Sequence, residues 1–142
     1  MSPDQYIGRG LVGGIAEGEA VLSLRAFTFA HGVNPATGEI TDVRSDARGS
    51  NVKGRALFYP YGKGSTTASS WFLETVRRGN GPVSIATESV DLAAVIGSVL
   101  AKLVYKADIP VVTGVTGDFV KSLKQGTRVR VDGGSGQVVV LG

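Results

Sequence analysis

Residues 61–68 read Tyr-Gly-Lys-Gly-Ser-Thr-Thr-Ala, which packs two glycines, a lysine and three aliphatic hydroxyls into one short stretch. An apolar run ending at Pro60 precedes it, and helical spacing follows it. Free backbone N–H groups at a helix start, together with the helix dipole, favour a bound anion. Gly62 and Gly64 would let a ligand approach the backbone, Lys63 adds positive charge, and Ser65 and Thr66 offer hydroxyls. The same residues also suit a plain helix cap by Ser65 or Thr66, and the two roles can coexist. A phosphate-binding P-loop does not fit, because position 57, where its first glycine belongs, is Leu. A dinucleotide fingerprint fits better, as Gly62-x-Gly64-x-x-Thr67 with Glu88 closing the next strand. Its third position is Thr rather than Gly or Ala, and the remaining chain holds only one mononucleotide half.

Other chemistry is sparse. There is no Cys among the 142 residues and one His, His31. That excludes a disulfide scaffold, a thiol nucleophile, a zinc finger and an iron–sulfur cluster held by this chain alone. His31 lies in a turn-dense loop and could act as a general base, but no partner is evident. The carboxylates do not converge: Glu17 and Glu19 are expected to flank a turn, Asp42 and Asp46 lie in a loop, and Glu74 lies in a helix. A paired-carboxylate hydrolase is not supported. Fifteen basic against 12 acidic residues give +3, scattered rather than striped, which argues against nucleic acid as a partner. The longest apolar stretch, 92–103, is too short for a bilayer. No signal peptide is visible, so the chain reads as soluble and cytoplasmic.

Elements that would position these residues follow from the patterning. Runs at 7–12 and 19–23 with glycine punctuation suggest a hairpin-rich sheet. Phe27 and Phe29 alternate with smaller residues as in a half-buried strand. Turn residues crowd 31–38, and a polar segment over 41–51 reads as a long loop packed by its own side chains. A buried strand is expected over 55–59. Ala68, Trp71, Phe72, Thr75 and Val76 then mark one face of a helix that Gly79 ends. A second strand at 83–87 precedes a helix whose apolar face is Leu92, Val95, Ile96, Val99, Leu100 and Leu103, with Asp91 at its start. A third strand follows at 109–113, which makes a parallel βαβαβ unit. The tail, 127–131 and 137–141, reads as a hairpin. The expectation is one α/β domain over 1–142, a β-rich N-terminal half laid against a small parallel unit.

Arg9-Gly10, Gly18-Glu19-Ala20, Phe29-x-x-Gly32-Val33-Asn34-Pro35-x-Thr37-Gly38, Asp42, Gly49, Gly54-Arg55-Ala56-Leu57, Gly62-Lys63-Gly64-Ser65 and Ile109-Pro110 occur in an order and spacing that resemble the small swivelling domain of the aconitase X group. The resemblance runs nearly end to end. It implies a three-layer β/β/α swivel fold and a hydro-lyase (dehydratase) subunit active only with a large partner subunit. That partner would carry an iron–sulfur cluster acting as Lewis acid on the leaving hydroxyl. This chain would bind no cofactor or metal itself and would supply Ser65 as the catalytic base. Gly62, Lys63, Gly64, Thr66, His31, Gly32 and Asn34 would contact the small hydroxy-acid substrate. Family members dehydrate cis-3-hydroxy-L-proline or 5-phosphomevalonate. The family usually shows Gly-Gly-Val-Asp-Pro where this chain has His31-Gly32-Val33-Asn34-Pro35, and often a second Gly where it has Ala68, so the substrate stays open. Two further alternatives remain, a non-catalytic swivel or binding module and a nucleotide-binding domain. A phosphohistidine swivel domain is echoed at 109–114 and 130–133. It needs a histidine before the second helix, where this chain has Glu88-Ser-Val-Asp91.

Overall fold

The computed structural model describes residues 5–63 and 66–142, and of Thr66 the backbone alone. Among the described residues there are eight strands: β1 (Gln5–Ile7), β2 (Arg9–Val12), β3 (Ile15–Leu22), β4 (Ala56–Tyr59), β5 (Ser84–Thr87), β6 (Val111–Thr113), β7 (Arg128–Asp132) and β8 (Gln137–Val140). Three helices join them, α1 (Thr66–Arg77), α2 (Leu92–Tyr105) and α3 (Gly117–Ser122). The strand order is β1-β8-β7-β3-β4-β5-β6-β2. β3, β4, β5 and β6 run parallel, whereas β2, β7, β8 and β1 join antiparallel.

Side-chain alternation along the parallel strands divides the interior into two cores. Leu57, Tyr59, Ile85 and Val111 point to the helix side, where they meet Phe27, Phe29, Phe72 and Ala94. Ala56, Phe58, Ala86 and Val112 point the other way, onto Val129, Val131 and Val138 of β7 and β8 and onto Phe119 of α3. The layers are therefore sheet, sheet and helices, the β/β/α arrangement that the resemblance implied. β3 links the two sheets, since its first five residues pair with β7 and its last three with β4.

The βαβαβ unit stands as expected. β4 is buried along its whole length and stops at Pro60. Ala68, Phe72 and Thr75 are buried on the inner face of α1. Gly79, at φ 79°, closes α1 with its N–H on the Val76 carbonyl while Asn80 donates to Thr75.

Three expectations need correction. The N-terminal strands form no hairpins with one another; the described hairpin is β7–β8. Their partners lie beyond residue 110 or, for β3, also in β4, out of reach of any local pattern. β1 and β2 sit on opposite edges of the sheet although only Gly8 separates them, so the sheet curls to bring its edges together. Glu17 and Glu19 lie within β3 instead of flanking a turn, and Glu17 faces Arg130 across the pair at 3.0 Å. The third correction concerns α2. Of the six apolar residues expected to face the core, Val95 alone packs on it. Leu92 and Leu103 are each 67% exposed. The buried face is Ala94, Gly97, Ser98 and Ala101, small residues that let α2 approach α1 closely. Among the described residues no helix is long and apolar enough to cross a membrane.

Candidate functional site

The parallel strands end together, and the chain that leaves β4 carries the glycine-rich segment. Gly62 forms a parallel bridge with Phe27. The Phe27 N–H donates to the Tyr61 carbonyl and the Lys63 N–H donates to the Phe27 carbonyl, both at 3.0 Å. Phe27 is anchored in the helix-side core against Phe29 and Tyr59. The expected half-buried strand is thus a single bridge, and its work is to hold Gly62 and Lys63 in place.

Lys63 is paired. Its Nζ lies 2.6 Å from Asp42 Oδ2, with 29% of the lysine and 13% of the aspartate side chain exposed. The ammonium hydrogen bond, with a second from the Arg44 N–H to Asp42, holds the Asp42 carboxyl below its ordinary range. The long loop between β3 and β4 brings Asp42 here. It is packed by its own side chains, as expected: Val33, Ile40, Ala47 and Val52 are buried, Val33 bridges Ile40, and Glu39 bridges Asn51.

Asp91 closes the other side. It is the N-cap of α2, accepting from the Ala93 N–H at 3.1 Å, and it accepts the Tyr59 hydroxyl at 2.6 Å. A β-carbon on residue 62 would stand 2.5–2.6 Å from the carboxylate atoms of Asp91, so Gly62 is glycine because of this contact. Burial, and then the adjacent carboxylate, raise the Tyr59 phenol well above its ordinary pKa. A pocket lined by Ser23, Tyr59, Pro60, Glu88, Val115 and Lys121 opens beside this edge.

Of the residues the sequence singled out, Gly62 and Lys63 are gathered with Asp42, Asp91 and Phe27. Gly64, Ser65 and the side chain of Thr66 lie outside the described residues, framed by Lys63 before them and the first turn of α1 after them. His31, in the left-handed region at φ 57°, places its ring 4.5 Å from that of Trp71 on α1. Trp71, expected in the core, is half-buried under it. Gly32 is buried, and its carbonyl accepts from Thr41, tying the 31–35 turn to the start of the Asp42 segment. Asn34 Oδ1 accepts from the Ala36 N–H at 2.9 Å and so shapes its own turn. The residues that sequence reasoning missed here are Tyr59 and the pairing role of Asp42. Their signals were slight, a tyrosine at the last position of a buried strand and an acidic residue in a polar loop. Asp91 was read as a helix-start charge, without its second partner.

Residues 5–140 match the family model described as the aconitase X swivel domain. The chain belongs to the aconitase X swivel-domain family. It is 40% identical over 134 residues to the phosphomevalonate dehydratase small subunit of Pyrococcus furiosus, covering 94% of this chain and 93% of that one. It is 39% identical to the protein of the same name from Thermococcus kodakarensis, covering 94% of each. Its structure is similar to the crystal structure of Thermococcus kodakaraensis aconitase X in its holo form, with a TM-score of 0.87 and 38% identity over 99% of this chain and all of that chain.

Proposed function

We propose that this chain is the small subunit of a hydro-lyase that dehydrates 5-phosphomevalonate or a similar small hydroxy acid, with Ser65 as the base that takes the proton. The observation that carries the reading is the end-to-end similarity to subunits named for that dehydratase, together with the presence of Gly62-Lys63-Gly64-Ser65 between β4 and α1. Those names favour 5-phosphomevalonate over cis-3-hydroxy-L-proline. They also imply a large partner subunit, as does the outer face of α2, where Leu92, Leu103 and Val104 stand in solvent. The chain has no Cys, and among its described residues no three acidic or histidine side chains gather as ligands. It does not fit an iron–sulfur cluster, which in this reading belongs to the partner.

A serine Oγ is a weak base until its oxyanion is stabilised. Lys63 contributes less than a free ammonium would, because Asp42 offsets its charge at 2.6 Å. The backbone N–H groups and dipole of α1, which starts one residue after Ser65 in the chain, would be the main source. His31, Gly32 and Asn34 form the turn proposed to contact substrate, and Thr66 would add a hydroxyl. In the assembled complex Ser65→Ala should lower turnover about 10²–10⁴-fold, while the chain alone gives none. Loss of a cap costs about 1 kcal/mol of stability instead. A wild-type rate in Ser65→Ala would refute the assignment.

A further inference from the structure

Asp91 touches three parts of the molecule at once. One oxygen, Oδ1, accepts from the Ala93 N–H and caps α2, while Oδ2 accepts the Tyr59 hydroxyl at 2.6 Å. The same carboxylate lies within 2.6 Å of where a β-carbon on residue 62 would stand. Capping accounts for a single oxygen, and Ser or Asn would serve that role as well. The second oxygen goes to a phenol that is 2% exposed, and burial without a partner would be costly for that hydroxyl. The raised pKa of Tyr59 keeps it a donor at any pH used for assay, so it fixes where the carboxylate sits. The backbone of Gly62 is then confined between this carboxylate and the Phe27 bridge.

We propose that Asp91 is a positioning residue for the candidate loop: bonded to Tyr59 and packed on Gly62, it sets where the chain leaves β4 on its way to Ser65. This rests on the reading of Ser65 as the base. β4 supplies Tyr59, Asp91 caps α2, and Gly62 packs on that carboxylate, so the spacing of strand and helix is transmitted to Gly62 and Lys63, the described residues nearest Ser65 in the chain.

Two variants keep a capping side chain and remove the bridge. Asp91→Ser retains a good N-cap but has no second oxygen for Tyr59. Tyr59→Phe deletes the hydroxyl alone, and it carries the test should Asp91→Ser fail to fold. In the two-subunit complex each should lower kcat about 10–100-fold with KM unchanged, the size of effect expected for a displacement of roughly 1 Å at a reacting group. Hydrogen exchange at the Phe27 and Lys63 amides, which make the bridge, should accelerate about tenfold or more, with the middle of α2 unaffected. Thr116→Ala, which removes the N-cap of α3, should change neither readout. Wild-type kcat in the folded variants overturns the proposal, and so does a lowered kcat with unchanged exchange at Phe27 and Lys63. Failure of the Ser65 reading is separate: Ser65→Ala would then turn over normally, while exchange in Tyr59→Phe still reports the bridge.

Discussion

Gly97→Ala in the middle of α2 sets two effects of similar size against each other. On an open helix surface, replacing Gly by Ala stabilises by about 1 kcal/mol. Here the new methyl would meet the ring of Phe72 at 3.1 Å from Cε2 and 3.3 Å from Cγ, with Cδ2 nearer still. Carbon atoms settle at about 3.5–4.0 Å, so the ring must yield by roughly 1 Å. Phe72 has little room, being 1% exposed and seated edge-on against Phe29 with ring centroids 4.9 Å apart. The contact lies where the side chains of α1 and α2 meet, and a hydrogen bond from Ser69 Oγ to the Ala93 carbonyl ties the two helices together. Overpacking of this kind costs about 1–3 kcal/mol, towards the upper end when no flexible side chain can give way. The net expectation is destabilisation by about 1–2 kcal/mol after the helical gain is subtracted. In urea, with a slope of about 1–3 kcal/mol per molar, the midpoint should fall by on the order of 0.5–1 M with the slope unchanged. Phe72→Leu should relieve the crowding, so the two substitutions should be non-additive by at least about 0.5 kcal/mol. A raised midpoint in Gly97→Ala, or strict additivity in the double variant, would refute the argument from close packing.

Two further outcomes follow from the site. The Asp42 carboxyl is depressed chiefly by its hydrogen bond from Lys63, so its contribution to stability is complete above its ordinary value of 3.8 and is lost as pH falls through the lower folded-state value. Asp42→Asn should cost about 1 kcal/mol at neutral pH and flatten the acid limb of the stability curve; parallel wild-type and variant curves would argue against this pair. Adding the large partner should slow amide exchange at residues 31–35 and 62–66 and along α2, whereas protection confined to β7 and β8 would contradict the proposed docking face.

Legibility in the sequence followed the range of each interaction. The βαβαβ unit could be read because its signals are local: a buried run stopped by Pro60, helical spacing from Ala68 to Val76, and Gly79 as terminator. The pairings of β1 and β2 could not, because Tyr6 meets Val138 and Arg9 meets Thr113. The face of α2 was misjudged for a different reason. Periodicity weights large apolar residues, yet this helix docks through Gly97 and Ser98, whose value lies in small size. At the site, the glycine at 62 and the charge at 63 could be read as residue types, but not what they touch. The Lys63–Asp42 and Tyr59–Asp91 contacts join residues 21 and 32 positions apart, and no spacing rule connects a strand end to the start of the second helix after it.

The curled sheet has a consequence for the order in which the chain can fold as it is synthesised. Residues 5–12 leave the ribosome well before residues 111–140, yet β2 has no partner until residues 111–113 exist, and β1 none until 137–139. The N-terminal segment is therefore a latch fastened last, the chain turning at Gly8 to seal both edges at once. Until then the outer edges of β6 and β8 stand unpaired, and such edges are open to pairing with other chains. Such long-range pairing also makes closure slow relative to formation of the helices. A chain ended before residue 137 would lack β8, leaving β1 without its partner and the outer edge of β7 permanently open.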